Sequence, residues 1–139
     1  MTNFRVPGIT SIEVVNCLHL APHLMLHSIS GETVEIGAPT KKISFIGRPV
    51  LSWDGDVVNG VQYEKSTLQF LTLETLPINL HLAFVVTCAD GSRYLIGAHE
   101  PNYPVIRYSE TTGEPGKSAA VREYKITHTA PKSVLRCVL

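Results

Sequence analysis

The chain has 139 residues, of which 44% are hydrophobic and 17% are charged. This length fits one domain, and the apolar fraction is high enough for a buried core, which excludes a disordered chain. Twelve basic residues balance twelve acidic residues. Because no basic run concentrates positive charge, the sequence argues against a nucleic-acid partner. We therefore expect one folded domain that spans residues 1–139.

Two further features bear on location. The longest apolar run, residues 82–86, is far too short to span a membrane, and the first seven residues do not resemble a signal peptide. The three cysteines, Cys17, Cys88 and Cys137, form no C-x-x-C pair, and we interpret them as buried, reduced thiols. The sequence thus predicts a protein without a membrane partner that is cytosolic or assembled inside the cell.

Apolar and polar residues alternate along most of the chain, which is typical of half-buried β-strands. In the first half, the predicted strands are residues 11–20, 24–29, 33–36, 42–46, 50–53, 61–63 and 67–73. The dipeptides that favour turns between them are Ser30-Gly31, Asp54-Gly55 and Asn59-Gly60. We expect the strand over residues 67–73 to be buried on both faces, because both of its faces are partly apolar.

The clearest local signal is a hairpin that joins residues 81–88 to residues 93–97. Its turn contains Asp90 and Gly91, which accept the positive φ angles of a tight turn. A polar loop over residues 109–120 and three more strands follow, at residues 105–108, 121–129 and 134–139. From their apolar runs we expect four residues in the core: Phe84, Val86, Leu95 and Ile96.

No segment keeps a helical apolar stripe for more than two turns, so we expect little helix. The sequence therefore predicts an all-β fold, an antiparallel β-sandwich or a partly open barrel of about ten short strands.

Three short motifs are similar to ligand sites, but each lacks a required element. Histidines recur every four residues from His19, yet Pro22 interrupts the helix that would align them for a metal. The acidic segment that starts at Asp54 lacks the glycine and glutamate of a calcium loop. Residues 113–118 end like a P-loop, but Thr111 stands where that motif needs its first glycine. We predict no metal and no cofactor.

Aromatic side chains offer a second type of ligand surface, since rings combine apolar area with a polar group. The candidates are Trp53, Tyr63, Tyr94, Tyr103 and Tyr108. Packing in the core is the simpler interpretation for each of them, and we expect Tyr103 to be the most exposed. No nucleophile elbow, zinc-protease motif or dinucleotide fingerprint is present, so a non-enzymatic module is predicted.

The second half of the chain has a distinctive order of elements. A hairpin closes at Tyr94-Leu95-Ile96-Gly97, and the segment Glu100-Pro101-Asn102-Tyr103-Pro104-Val105-Ile106 follows, before a long polar loop and a final β-pair. In this order, residues 93–139 resemble small structural proteins of phages and prophages, above all tail-associated ones. The resemblance implies a tail or virion subunit, located in the cytoplasm or the virion, that associates with itself or with other assembly proteins.

This hypothesis places the interaction residues in and around the polar loop. They are Tyr103, Ser109, Glu110, Gly113, Glu114 and Lys117. We expect the loop over residues 109–120 to be mobile and, together with an edge strand, to contact the next subunit head to tail. Two alternatives stay open: a stand-alone ligand-binding β-domain, for example for carbohydrate, and a small enzyme with a His and carboxylate site.

Overall fold

Eleven β-strands make up most of the residues that the computed structural model describes, which are residues 4–5, 8–23, 29, 33–77, 79–99, 103–111 and 121–138. The strands are β1 (Phe4–Arg5), β2 (Ile9–Asn16), β3 (Val34–Glu35), β4 (Lys41–Ile43), β5 (Ile46–Val58), β6 (Val61–Thr72), β7 (Leu82–Cys88), β8 (Arg93–Ile96), β9 (Val105–Thr111), β10 (Val121–Ala130) and β11 (Val134–Val138). A short 3₁₀ helix, Cys17–His19, follows β2. No helix among these residues has the length and apolarity to cross a bilayer. The predicted all-β fold with little helix is confirmed.

The strands form two sheets that pack face to face. One sheet has the order β1-β5-β6-β10-β9, and the other has the order β3-β11-β8-β7-β2-β4. All pairs are antiparallel except β3 with β11. Every second residue is buried between the sheets from Ser66 to Thr72 of β6 and from Tyr124 to Ala130 of β10, and the ring of Phe70 stacks on that of Tyr124 at 5.7 Å. Of the two predicted architectures, the chain adopts the sandwich.

A second, smaller core covers the other face of the six-stranded sheet. There, Val85 and Leu95 pack with Cys17, Leu20 and other buried residues of the segment after β2. β7 is consequently buried on both faces, at every position except Thr87. The four predicted core residues are confirmed, since Phe84, Val86, Leu95 and Ile96 all have 0% exposure.

The predicted hairpin between residues 81 and 97 is also confirmed. It consists of β7 and β8, and in its turn Gly91 has a φ of 89° while Ser92 N donates to Asp90 Oδ1 at 3.0 Å. Most of the predicted hairpin around Ser30-Gly31 lies outside the described residues, which include only residue 29 of its first strand and the segment that contains β3.

Two predictions about the first half are wrong. Asp54-Gly55 is not a turn, because these residues lie within β5 and pair with Lys65 and Glu64 of β6. The strand over residues 67–73 is buried on one face, since Gln69 is exposed on the other. The first error arises because the predicted short strands merge into the two long strands β5 and β6, and the second because only one face of β6 packs against the other sheet. Asn59 and Gly60 join them at positive φ, as in a type I′ turn.

All three cysteines are buried, and none forms a disulfide, as predicted. Burial raises the pKa of the Cys17 and Cys88 thiols to about 11, and that of the Cys137 thiol to about 12. These thiols are therefore neutral at physiological pH and behave as small apolar side chains.

Candidate functional site

The β5–β6 hairpin extends beyond the strand beside it. β10 pairs with β6 from Thr72 to Glu64, and the hairpin continues through residues 56–63, which we call the arm. Within the described residues, the arm strands pair with each other and with no third strand. At about 3.3 Å per residue, three further residue pairs carry the arm roughly 10 Å past the end of β10.

The arm exposes one valine on each of its faces. Val57 is 63% exposed and Val61 is 48% exposed. Val57 pairs with Gln62, whereas Val61 pairs with Val58. Because neighbouring residues of a strand point to opposite faces, the two exposed valines lie on opposite faces of the ribbon. A two-stranded ribbon is only marginally stable in water, so this arm is suited to packing against another surface.

An apolar cleft lies at the other end of the molecule. β6 runs from the arm to Thr72, roughly 35 Å at 3.3 Å per residue, and the chain then enters one wall of the cleft. This segment contributes Leu76 and Leu80 to the lining, to which Val14 of β2 and Ile43 of β4 also belong. The cleft has a volume of about 330 Å³. This size is at the lower end for ligand pockets, which hold about 300–1,000 Å³.

Hydrogen bonds hold the wall after β6 in place. Ser44 N donates to Glu74 Oε2 at 2.6 Å, and Thr72 Oγ1 donates to Ser44 O at 2.6 Å. Further along, Leu76 N donates to Tyr124 Oη at 3.1 Å inside the main core. The cleft is thus attached to the sandwich at several points, and its shape does not depend on an occupant.

The polar side chains around the cleft are of mixed type. Lys41 and His19 are exposed there, and Glu74 is the one acidic residue among the lining residues. The Glu74 carboxylate accepts the hydrogen bond from Ser44, whereas Lys41 forms no ion pair within the described part of the chain. The lining therefore carries one cationic and one anionic side chain, Lys41 and Glu74.

A second exposed region is β9, the outer strand of the five-stranded sheet in the described residues. Val105 is 54% exposed and Tyr108 is 51% exposed. On its solvent-facing side, Arg107 stands directly opposite Lys125 of β10. These two side chains and Lys65 line a shallow groove of about 790 Å³. In the part of the chain that the structure describes, no strand pairs with the outer edge of β9, and an edge of this kind can accept another strand.

The structure places only part of the predicted interaction set. Gly113, Glu114 and Lys117 lie outside the described residues, as does the loop from residue 112 to residue 120. Ser109 and Glu110 belong to β9 rather than to a loop, and Glu110 forms an ion pair with Arg122 of β10.

Tyr103 is half-buried, contrary to the expectation that it is the most exposed aromatic residue. Its ring stacks on His81 at 4.0 Å, and its hydroxyl donates to His99 O at 3.2 Å. Tyr103 lies just before β9, whereas Glu110 is near the far end of that strand. The structure therefore does not bring the predicted interaction residues into one site.

Catalytic residue types also meet at the base of the arm. Glu64 Oε1 accepts hydrogen bonds from Ser133 N and Val134 N, both at 3.0 Å, and from Ser133 Oγ at 3.4 Å. His128 Nδ1 donates to Ser133 O at 3.2 Å. Ser133 is 0% exposed and His128 is 1% exposed, so a substrate has no access to them. This cluster joins β6 to the β10–β11 turn, and we interpret it as structural.

No set of three or more His, Cys, Asp or Glu side chains in the described ranges could hold a metal ion.

The scan against protein-family models and the searches of curated proteins and solved structures found no match. The functional argument therefore rests on the arm, the cleft and the edge of β9.

Proposed function

We propose that this protein is a structural subunit that works by binding further copies of itself, as in a phage or prophage tail or virion. The observation that carries the proposal is the arm, a projecting ribbon with Val57 and Val61 exposed on opposite faces. A ribbon of this kind gains stability when a neighbouring chain covers it.

The free energy gained when a neighbouring chain covers the arm is small, which indicates a weak contact between copies. Complete burial of one valine contributes at most about 1.5–3 kcal/mol, and association must first offset the lost freedom of both partners. A single arm contact therefore gives weak association, and the repeated contacts of a ring or tube multiply it. The balanced charge of the chain favours such repetition, since twelve acidic and twelve basic residues leave no net repulsion between copies.

The edge of β9 supports the same proposal from a second surface. Among the described residues, no strand pairs with the outer side of this seven-residue strand, and strand addition at such an edge is how many assembly proteins extend a sheet. The resemblance of residues 93–139 to tail-associated proteins, which includes this strand, agrees with that role.

Sedimentation velocity of the purified full chain tests the proposal. We expect larger species to form as the protein concentration rises towards about 1 mM. A binding free energy of about 4 kcal/mol corresponds to a dissociation constant of that size. Val57→Lys should reduce their fraction, because it places a charge on the apolar arm. Val138→Lys is the matched control, since Val138 is 49% exposed on β11, away from the arm. A strict monomer at every concentration would contradict the proposal.

A stand-alone ligand-binding domain is the second candidate, and the apolar cleft of about 330 Å³ is the observation that favours it. A screen of small apolar molecules by isothermal calorimetry would distinguish the two functions. Tight binding by a chain that remains monomeric would favour this second candidate.

A further inference from the structure

We infer that the outer edge of β9 binds an extended segment of another protein, in which acidic residues alternate with apolar residues. The segment adds to the five-stranded sheet as a further strand beside β9. This inference goes beyond the proposed self-association, because its partner is a different protein and its surface is the edge of β9 rather than the arm. Three observations carry it: an open backbone edge, a tyrosine that the sandwich leaves half uncovered, and a pair of adjacent positive charges.

The backbone at the outer edge of β9 can pair with a further strand. β9 pairs with β10 along its whole length, and no strand among the described residues pairs with its other side. In an antiparallel pair, successive residues direct their N–H and C=O groups alternately towards one neighbour and away from it. About half of the backbone groups of this seven-residue strand therefore face outwards, where an added strand can bond them.

Tyr108 lies on the core-facing side of β9 but is incompletely covered. It stands opposite Tyr124, just as Ile106 stands opposite Ile126. Residues that are directly opposite in a sheet share a face, and the two β10 residues are buried between the sheets. The ring of Tyr108 packs 6.1 Å from that of Tyr124, yet Tyr108 remains 51% exposed. Apolar side chains on a strand added beside β9 would cover this ring.

The other face of β9 is positively charged. Arg107 stands directly opposite Lys125 of β10, and both side chains are exposed. We call these two residues the basic pair. Neither of them forms an ion pair within the described part of the chain. Like charges placed directly opposite each other destabilise a sheet. A carboxylate on an added strand, opposite Arg107, offsets this repulsion because its Cβ lies only about 5 Å away.

The carboxylates near the basic pair do not neutralise it. The groove that the basic pair lines together with Lys65 contains no Asp or Glu. Beside the groove, Asp54 stands opposite Lys65, and Glu123 accepts a hydrogen bond from Gln69 Nε2 at 2.7 Å. Three cations and two carboxylates leave this face with an excess of positive charge next to β9. Acidic side chains on the partner provide the complementary charge.

The same charges argue against a second β9 as the occupant. Two β9 strands paired antiparallel about Tyr108 would place the Arg107 side chains of both copies on one face, roughly 7 Å apart along the strands. Each copy would then add its basic pair to that of the other, and such like charges repel. A strand with alternating residues avoids this repulsion, since its apolar side chains face Tyr108 while its acidic side chains face Arg107.

Peptide binding, measured by fluorescence anisotropy on the purified full chain, tests the chemistry of the partner. The probe is a fluorescein-labelled peptide as long as β9 in which valine and glutamate alternate, and the control peptide has lysine in place of glutamate. We expect the glutamate peptide to bind about tenfold more tightly than the lysine peptide. Arg107→Ala and Lys125→Ala should each weaken its binding about two- to fivefold, as is usual for exposed ion pairs. Lys42→Ala is the matched control, because Lys42 is an exposed cation on β4 of the other sheet, and it should leave binding unchanged.

Hydrogen exchange distinguishes strand addition from attraction by charge alone. When the glutamate peptide saturates the chain, amide exchange followed by NMR should slow about tenfold or more at alternate residues of β9, because those amides gain hydrogen-bond partners. Binding that leaves these amides unprotected would overturn strand addition. Equal affinity for the two peptides, or no binding up to about 1 mM, would overturn the inference as well.

Sedimentation velocity separates this inference from the proposed self-association. A chain that stays monomeric but binds the glutamate peptide with protection of β9 would contradict self-association and support the β9 partner. A chain that self-associates, binds no peptide and loses its oligomers in Arg107→Glu would assign the edge of β9 to a second copy and overturn this inference.

Discussion

Removing the Glu64 carboxylate should destabilise the sandwich at the base of the arm. One oxygen of this side chain accepts three hydrogen bonds from Ser133 and Val134, which are 0% and 5% exposed. Glu64→Ala leaves the two backbone N–H groups buried without an acceptor. Each such group costs about 1–3 kcal/mol, so we expect a loss of about 2–6 kcal/mol in the free energy of unfolding.

Urea unfolding followed by tryptophan fluorescence measures this loss, since the single Trp53 contacts the core from β5. Glu64→Gln keeps an acceptor oxygen of the same reach and should cost about 1 kcal/mol or less. Glu35→Ala on β3 removes an exposed carboxylate and should change stability by less than about 0.5 kcal/mol. A loss below about 1 kcal/mol for Glu64→Ala would refute the view that this carboxylate clamps β6 to the β10–β11 turn.

Three further predictions concern the core and the backbone. Phe84→Ala removes a side chain of 0% exposure and should lower the free energy of unfolding in urea by about 3–5 kcal/mol. Leu73→Ala is the control, because Leu73 is 58% exposed, and should cost less than about 0.5 kcal/mol. Equal losses for the two variants would contradict the assignment of Phe84 to the core. Gly97→Ala places a Cβ 2.7 Å from the Ala83 Cβ, and it should lower the melting temperature more than Gly91→Ala, where the same type of positive φ meets open space. Burial raises the pKa values of the thiols from 9.0 to about 11–12, so a thiol reagent at about pH 8 should modify all three cysteines only after unfolding. Because these pKa values are higher in the folded chain, stability should fall as the pH rises from about 9 to about 11, and rapid labelling of the folded chain would contradict their burial.

The parts of the fold that were predicted correctly depend on local signals. Asp90 and Gly91 define a tight turn, and the flanking residues alternate in hydrophobicity, so the β7–β8 hairpin follows from a short stretch of chain. Asp54-Gly55 carries a similar turn signal, yet it lies within a strand because β6 pairs with both residues. Pairing between strands depends on contacts with residues outside the short segment that carries the turn signal, so the pattern of that segment alone does not predict it.

The candidate site could be predicted from the sequence less well than the fold. The cleft combines β2, β4 and the segment after β6, which are more than 20 residues apart along the chain. No spacing motif relates Val14 to Ile43 or Leu76. The arm does have a sequence signal, the Asn59-Gly60 turn between valine-rich segments, but its projection became evident only from where β10 ends.

The two sheets differ in how many of their faces are covered by other residues, and this difference determines where substitutions are tolerated. β7 has neighbours on both faces, whereas β6 exposes Lys65 and Gln69 on its outer face. Substitutions on the outer face of the five-stranded sheet meet few packing constraints, whereas any change in β7 must satisfy two cores at once. Related chains should therefore diverge fastest on the outer face of the five-stranded sheet, where new binding properties can evolve without loss of the fold.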